Sequence, residues 1–503
     1  MSQDQNQSLN EDSGLKTDTD NLKERSIRGG TVTLVTQAIS TCITVASTVI
    51  LARLLTPQDF GTVAMVLALT GFVSLFRDLG LSGATIQSRS ISHDQASTLF
   101  WINVGLGVLV MVMIMASAPI VVWFYQKPQL KLVTIGLSFG SFFDSLGTQH
   151  AALLNRQMRF KALAYVRLPA LLAGFLAAIL VALWGGAYWA LVANQLVSAA
   201  CSTAGLWVTS GFRPHRPQRG TAIRQFMFFG ANIAAFDLAH YFRDNMDQIL
   251  VGRVWGAHQL GLYSRALSLL SLPLTNLRYP LGKVAFPAMS QLAENPRRYR
   301  SYYLKYSSLL AFVTMPLVAF FFACSENIIR LFLGSQWLGA VELFRILALT
   351  GFISSVASLR ITVIMSSGQG SRLLRWGLLN TATAIVAYAC GLPWGAKGVT
   401  IASCVASYLT LHPLLVYAFK GTPVRTSDFY HSVMKPGLAS ILMCILYMLT
   451  IGRVLQASDI GVLAISLPFC IMIYLVIFYL LPGGRQSLID YWAYLTIFFR
   501  RPA

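Results

Sequence analysis

Charge is what this chain has least of. Only 12% of its 503 residues are Asp, Glu, Lys or Arg, and acids are the scarcer kind, 19 against 39 bases. A soluble domain carries about a quarter charged residues, so an ordinary water-facing surface is excluded. Catalytic signatures are missing too. There is no GxxxxGK[ST] to cradle a nucleotide phosphate, no HExxH, no GxSxG and no zinc-ligand spacing, and the seven His are scattered. No link between apolar segments exceeds about 20 residues, which leaves no room for an extramembrane catalytic domain. The seven cysteines (Cys42, Cys201, Cys324, Cys390, Cys404, Cys444, Cys470) fall inside apolar segments without paired spacing. They read as small packing residues, with no disulfide and no metal. Residues 1–28 are polar and lack an apolar h-region, which predicts a disordered cytoplasmic tail and no cleavable signal peptide.

What is present is apolar length. The chain is 55% hydrophobic with a mean hydropathy of +0.60, and its apolar runs are too long for an outer-membrane barrel. The fold class is therefore an all-α polytopic membrane protein. Segments of spanning length fall at 31–53, 60–82, 96–118, 130–154, 162–184, 187–209, 224–252, 259–289, 303–325, 340–365, 373–392, 395–418, 430–451 and 460–481. That predicts about 14 transmembrane helices. With this partition Lys and Arg alternate between faces, 24 on the side of the N-terminal tail and the even-numbered links against 7 on the other. The asymmetry places both termini in the cytoplasm. The net charge of +20 belongs to an anionic membrane face and does not point to nucleic acid.

The sequence also repeats. RLLTPQDFG (53–61) aligns with RVWGAHQLG (253–261) at an offset of 200, pairing Arg53 with Arg253 and Gly61 with Gly261. WGGAYWA (184–190) aligns with WGAKGVT (394–400) at an offset of 210. The expected organisation is a cytoplasmic tail (1–28), an N-lobe of six helices (29–209), a basic cytoplasmic linker (210–223), a C-lobe of six helices (224–419), two further helices (420–482) and an amphipathic cytoplasmic tail (483–503). Lobes of the same orientation imply a pseudo-two-fold axis along the membrane normal, with a cavity between them.

Ionisable residues at membrane depth are costly and mark partners or polar cavities. Arg77 and Asp78 follow 17 uncharged residues. On the seventh segment Asp237, His240, Asp244 and Asp247 form one helical stripe, with Arg243 beside it and within i+4 reach of Asp247. Arg265, Arg278 and Lys283 lie on the eighth segment, Asp144 on the fourth, Arg167 on the fifth, Arg345 and Arg360 on the tenth. Each has a plain alternative. Arg77–Asp78 and the Asp/Arg stripe can be structural locks, and Arg167, Lys283 and Arg345 can snorkel to an interface. As a set, eight cations face five anions, a surplus that an anionic cargo would stabilise.

Four stretches, LARLLTPQDFGTVAMV (51–66), FRDLGLSGATIQ (76–87), LLNRQMRFKALAYV (153–166) and LGLYSRALSLLSLP (260–273), resemble the polysaccharide transporter family of the multidrug/oligosaccharidyl-lipid/polysaccharide exporter superfamily. The resemblance implies a fourteen-helix flippase, without cofactor, that moves an undecaprenyl-diphosphate-linked glycan for lipopolysaccharide, capsule or exopolysaccharide across the bacterial cytoplasmic membrane. Membrane lipids, a coupling ion (proton or sodium) and polysaccharide polymerase machinery are its implied partners. It makes Arg77, Arg265, Arg278 and Arg243 the diphosphate-binding candidates. Asp78, Asp237, Asp244 and Asp247 become the cation-coupling or charge-tuning candidates. Two other readings stand beside it: a cation-coupled drug antiporter, which would want an acidic cavity, and a membrane glycosyltransferase or polymerase, which would want a large catalytic loop.

Overall fold

A computed structural model describes the backbone of residues 22–77, 80–88, 91–216, 224–450 and 458–499. Within these, the side chains of 22–29, 84, 87, 224–240, 279–281, 283–284, 370–371, 374 and 492–499 are outside the described set. The polar tail 1–21 and linker residues 217–223 therefore lie outside it, as do Asp78 and the side chains of Asp237, His240 and Lys283.

No strand occurs among the described residues, and helix falls on every one of the fourteen expected segments. The helices are α1 (Leu22–Leu54), α2 (Pro57–Thr70), α3 (Leu81–Gln87), α4 (His93–Tyr125), α5 (Leu130–Arg156), α6 (Phe160–Leu183), α7 (Trp189–Ser210), α8 (Arg224–Gln291), α9 (Pro296–Ala323), α10 (Ser325–Phe332), α11 (Val341–Ala357), α12 (Leu359–Ser366), α13 (Gly370–Gly391), α14 (Gly395–Phe419), α15 (Thr426–Leu449), α16 (Asp459–Leu480) and α17 (Gly484–Phe499). Ten stretches among the described residues are long and apolar enough to cross a membrane. Polar-rich α5 and the α8 segments are not among the ten, and Arg375–Phe419 counts once although it holds two expected segments. The chain is an all-α, multi-pass membrane protein.

A bilayer leaves no water for polar groups, so backbone and hydroxyls must be satisfied within the helix. Thr44, Thr134, Thr314 and Thr400 each donate to the carbonyl four residues back, at 2.6–2.8 Å. Helix starts are written in sequence. At TPQD, Thr56 caps α2 by accepting from the Asp59 N–H, while Asp59 accepts from the Thr56 N–H at 2.9 Å. Ser92 and Gln95 repeat that capping box on α4. Trp123, Trp184 and Trp394, at or just beyond the ends of α4, α6 and α13, are 71%, 85% and 73% exposed, as an interfacial aromatic belt requires.

The chain divides into two compact units, Met1–Gly261 and Leu262–Ala503. In the first, α4 packs on α5, and α6 on α7 and α1. In the second, α9 packs on α11 and α15, and α13 and α11 pack on α14. The second unit's core gathers Tyr299, Tyr303, Phe429 and Trp376. Its last helix docks through Tyr491, which meets Phe312 and Phe478 and hydrogen-bonds Ser308.

Both sequence repeats have structural counterparts. The helix α8 is broken at Gly256, whose φ of 80° and ψ of −179° lie in a region essentially reserved for glycine. The second Arg turn therefore is a turn. Within the first unit a methyl on Gly61 would overlap the backbone carbonyl of Ala257, and one on Gly261 would overlap that of Pro57. Residues 57 and 61 correspond to 257 and 261 at the offset of 200, so the contact is reciprocal, as across a two-fold axis. At the second repeat, Gly185 and Gly395, the matched glycines after Trp184 and Trp394, have φ of 78° and 79°.

Candidate functional site

The second expected span is not a continuous α-helix. After α2 the backbone tightens at Gly71 into a 3-10 helix, Gly71–Arg77, and α-helix resumes only at Leu81, after Gly80 with φ of 73°. Backbone of this kind is tolerated at membrane depth only where protein covers it or where it lines a water-filled cavity. Arg77 sits at the interruption. Its guanidinium donates to Asp144 of α5 at 2.7 Å, with the two side chains 30% and 44% exposed. Arg77 is thus tied to a carboxylate 67 residues away. Sequence had offered only its neighbour Asp78, because no periodicity links the second segment to the fourth.

The same 3-10 segment packs against α8. Tyr241 Oη donates to the carbonyls of Leu67 and Ala68, at 2.8 and 2.9 Å, where α2 runs out of helical partners. Phe72 stacks near Phe242, centroids 5.6 Å apart. One residue further along, Arg243 pairs with Asp244, Nη2 to Oδ1 at 2.6 Å. That corrects the expected i+4 pair with Asp247. Asp247 is buried, and its Oδ1 accepts the N–H of Gln248 at 2.8 Å. The interruption and the charged stretch of α8 thus form one wall of the first unit.

In the second unit Arg265 and Arg278 lie half-buried on α8 beyond the Gly256 break. Arg278 is close enough to Tyr306 of α9 to act on it electrostatically. Arg345 donates to Ser325 Oγ at 2.6 Å. Arg360 follows the turn at Ser358 that separates α11 from α12, and lies over the buried Trp376 ring, 5.0 Å from its centroid. A cation held on an aromatic face keeps its edge available for hydrogen bonding.

Arg360 lines a polar cavity between α11, α13 and α14, about 590 Å³ including its mouth, together with Ser354, Asn380, Thr383, Ser403 and Ser407. Its lining holds one guanidinium, several hydroxyls and an amide, and no carboxylate. The six carboxylates of residues 262–503 sit near helix ends: Glu294, Glu326, Glu342, Asp428, Asp459 and Asp490. Glu326 bridges Arg330 at 2.7 Å, Glu342 bridges Lys397 at 2.7 Å, and Asp428 bridges Arg300 at 2.6 Å. Ile353 and Tyr408 are shared with an adjoining apolar groove of about 940 Å³ that includes Phe322, Phe352 and Met448. The arrangement suits a ligand with a hydroxylated or anionic end and a hydrocarbon end.

Two features were missed in the sequence. One is the Arg360 cavity, whose Ser, Thr and Asn residues look like ordinary helix interior. The other is Arg156, counted there as a topological charge. It is buried, and its Nη1 donates to the Thr85 and Ser88 carbonyls at 3.2 and 2.9 Å and to Ser88 Oγ at 2.6 Å. It closes the C-terminal end of α3, where carbonyls lack helical partners.

A family model described as "Polysaccharide biosynthesis protein" matches residues 50–342, and the chain belongs to that family. Among individual relatives it is 26% identical over 421 residues to the teichuronic acid biosynthesis protein TuaB of Bacillus subtilis (strain 168), covering 81% of this chain and 86% of that one. It is 23% identical over 417 residues to the lipopolysaccharide biosynthesis protein WzxC of Escherichia coli (strain K12), covering 82% and 84%. Of solved structures, the lipid II flippase MurJ in its inward closed conformation superimposes with a TM-score of 0.72 at 14% identity, over 92% of this chain and 100% of that one. An inward-facing multidrug resistance MATE transporter gives 0.55 at 14% identity, over 79% and 95%. Both share the fold.

Proposed function

We propose that the chain is a flippase of the bacterial cytoplasmic membrane. It carries an undecaprenyl-diphosphate-linked oligosaccharide, a unit of O-antigen, capsule or exopolysaccharide, to the outer leaflet by alternating access of two six-helix lobes. The observation that carries this reading is the interrupted span at Gly71–Arg77, which sets a partly exposed guanidinium where the backbone itself calls for a polar cavity. A guanidinium fork suits a diphosphate. Arg77, Arg243, Arg265 and Arg278 take that role, and Asp78, Asp237, Asp244 and Asp247 tune them or bind a coupling cation, proton or sodium. The joined polar cavity and apolar groove of the second unit support an amphiphilic cargo, and the printed names of TuaB and WzxC support a cell-surface glycan. Fourteen crossings, cytoplasmic termini and transport without a covalent step or cofactor complete the proposal. The test is deletion in the native host followed by analysis of lipid-linked glycans. Undecaprenyl-diphosphate repeat units should accumulate facing the cytoplasm, and their unchanged passage to the outer leaflet refutes the assignment.

A further inference from the structure

At one end of the first unit the fold brings together three residues that the sequence keeps 122 positions apart. His93 and Asp94 open α4, directly after the Ser92 cap, and His215 lies in the segment Gly211–Arg216 that leaves α7. One ligand atom from each residue lies within 4.8 Å of the others. The two imidazole rings are neighbours, centroids 4.3 Å apart and planes at 43°.

His215 is held in place through its backbone on both sides. Its N–H donates to Ser97 Oγ at 3.1 Å, and its carbonyl accepts from Trp101 Nε1 at 2.8 Å. Phe212, three residues earlier, packs its ring 5.2 Å from that of His93. The non-helical segment is therefore seated on the first two turns of α4 before any ion is considered. Metal-bound imidazoles characteristically give their second ring nitrogen to an outer oxygen. Ser97 Oγ, 3.3 Å from His93 Nδ1, stands where such a partner is needed.

We propose that His93, Asp94 and His215 form a binding site for one divalent transition-metal ion of the zinc type. Two imidazoles and a carboxylate suit zinc, cobalt or nickel, whereas magnesium and calcium call for oxygen ligands. Metal–ligand bonds of about 2.0–2.1 Å put tetrahedral ligand atoms about 3.3 Å from one another. Closing the present spread to that value takes side-chain rotation of the exposed His215 and no backbone movement. Water completes the shell. The ion fastens segment 211–216 to α4 immediately before the chain passes toward α8, a role separate from cargo binding.

The test uses the full-length protein purified in detergent without a polyhistidine tag. Co2+ is added and followed by visible absorption, then displaced with Zn2+ in a calorimeter. One Co2+ per chain should bind with tetrahedral d–d bands, Zn2+ should displace it, and Zn2+ should raise the melting temperature. Both effects should vanish in His215→Ala and His93→Ala, while Ser97→Ala should weaken binding about tenfold. His215 is exposed and in no helix, so His215→Ala keeps the test meaningful where His93→Ala fails to fold. Absence of stoichiometric binding overturns the proposal, and so does binding undiminished in His215→Ala, which would place the ion on other histidines.

Discussion

The reciprocal glycine contact gives the sharpest test of the fold. Alanine at position 61 places its methyl well inside 3.0 Å of the Ala257 carbonyl, and alanine at 261 does the same to Pro57. The obstacle in each case is backbone, which cannot rotate away. The two turns must separate until ordinary contact of 3.4–4 Å is regained, and that movement strips packing from Met65, Gly252 and Leu260, which meet beside it. Overpacking typically costs about 1–3 kcal/mol and occasionally more, and a rigid carbonyl puts each variant at the upper end. The double variant should cost less than the sum, because one separation relieves both overlaps. Gly105 in α4 is the control: nothing lies within 4 Å of its would-be methyl, and alanine there should stabilise by about 0.5–1 kcal/mol. Melting curves of detergent-purified GFP fusions, read by gel filtration, supply the numbers. A Gly61→Ala protein as stable as the parent, or a fully additive double variant, refutes the reciprocal contact.

Arg77 and Asp144 can be separated into lock and ligand-binding roles by exchange. Arg77→Asp with Asp144→Arg should recover protein abundance relative to either single change, yet leave glycan export lost; restored export would make the pair purely structural. Arg156→Ala removes three hydrogen bonds from a buried guanidinium, at a cost of about 2–3 kcal/mol. Thermal unfolding should show this as lower stability, and unchanged stability would refute the capping role.

The sequence disclosed most about what the bilayer dictates and least about what packing decides. Spanning segments are read directly, since apolar length is a requirement of the solvent rather than of the fold. Turns were legible where chemistry is local: the Thr56–Asp59 box and the glycines at 61, 185, 261 and 395 announce themselves because few other residues fit. Arg77 shows the limit. Its depth and its cost were visible, and its partner was not, since Asp144 is an isolated carboxylate on another helix with no spacing to connect them. The interruption at Gly71 was equally hidden, because GFVSLFR is apolar and helix-compatible and only Tyr241, reaching across to the Leu67 and Ala68 carbonyls, makes a tighter turn acceptable. These two hidden facts bear on each other. A 3-10 turn shifts the side-chain direction that an α-helix would have set, so the interruption decides which way Arg77 faces, and with it which carboxylate it meets. A substitution that restores α-helix through Gly71–Arg77 would therefore disturb the Arg77–Asp144 pair without touching either residue. The site in this unit is a property of the backbone break as much as of the charge placed on it.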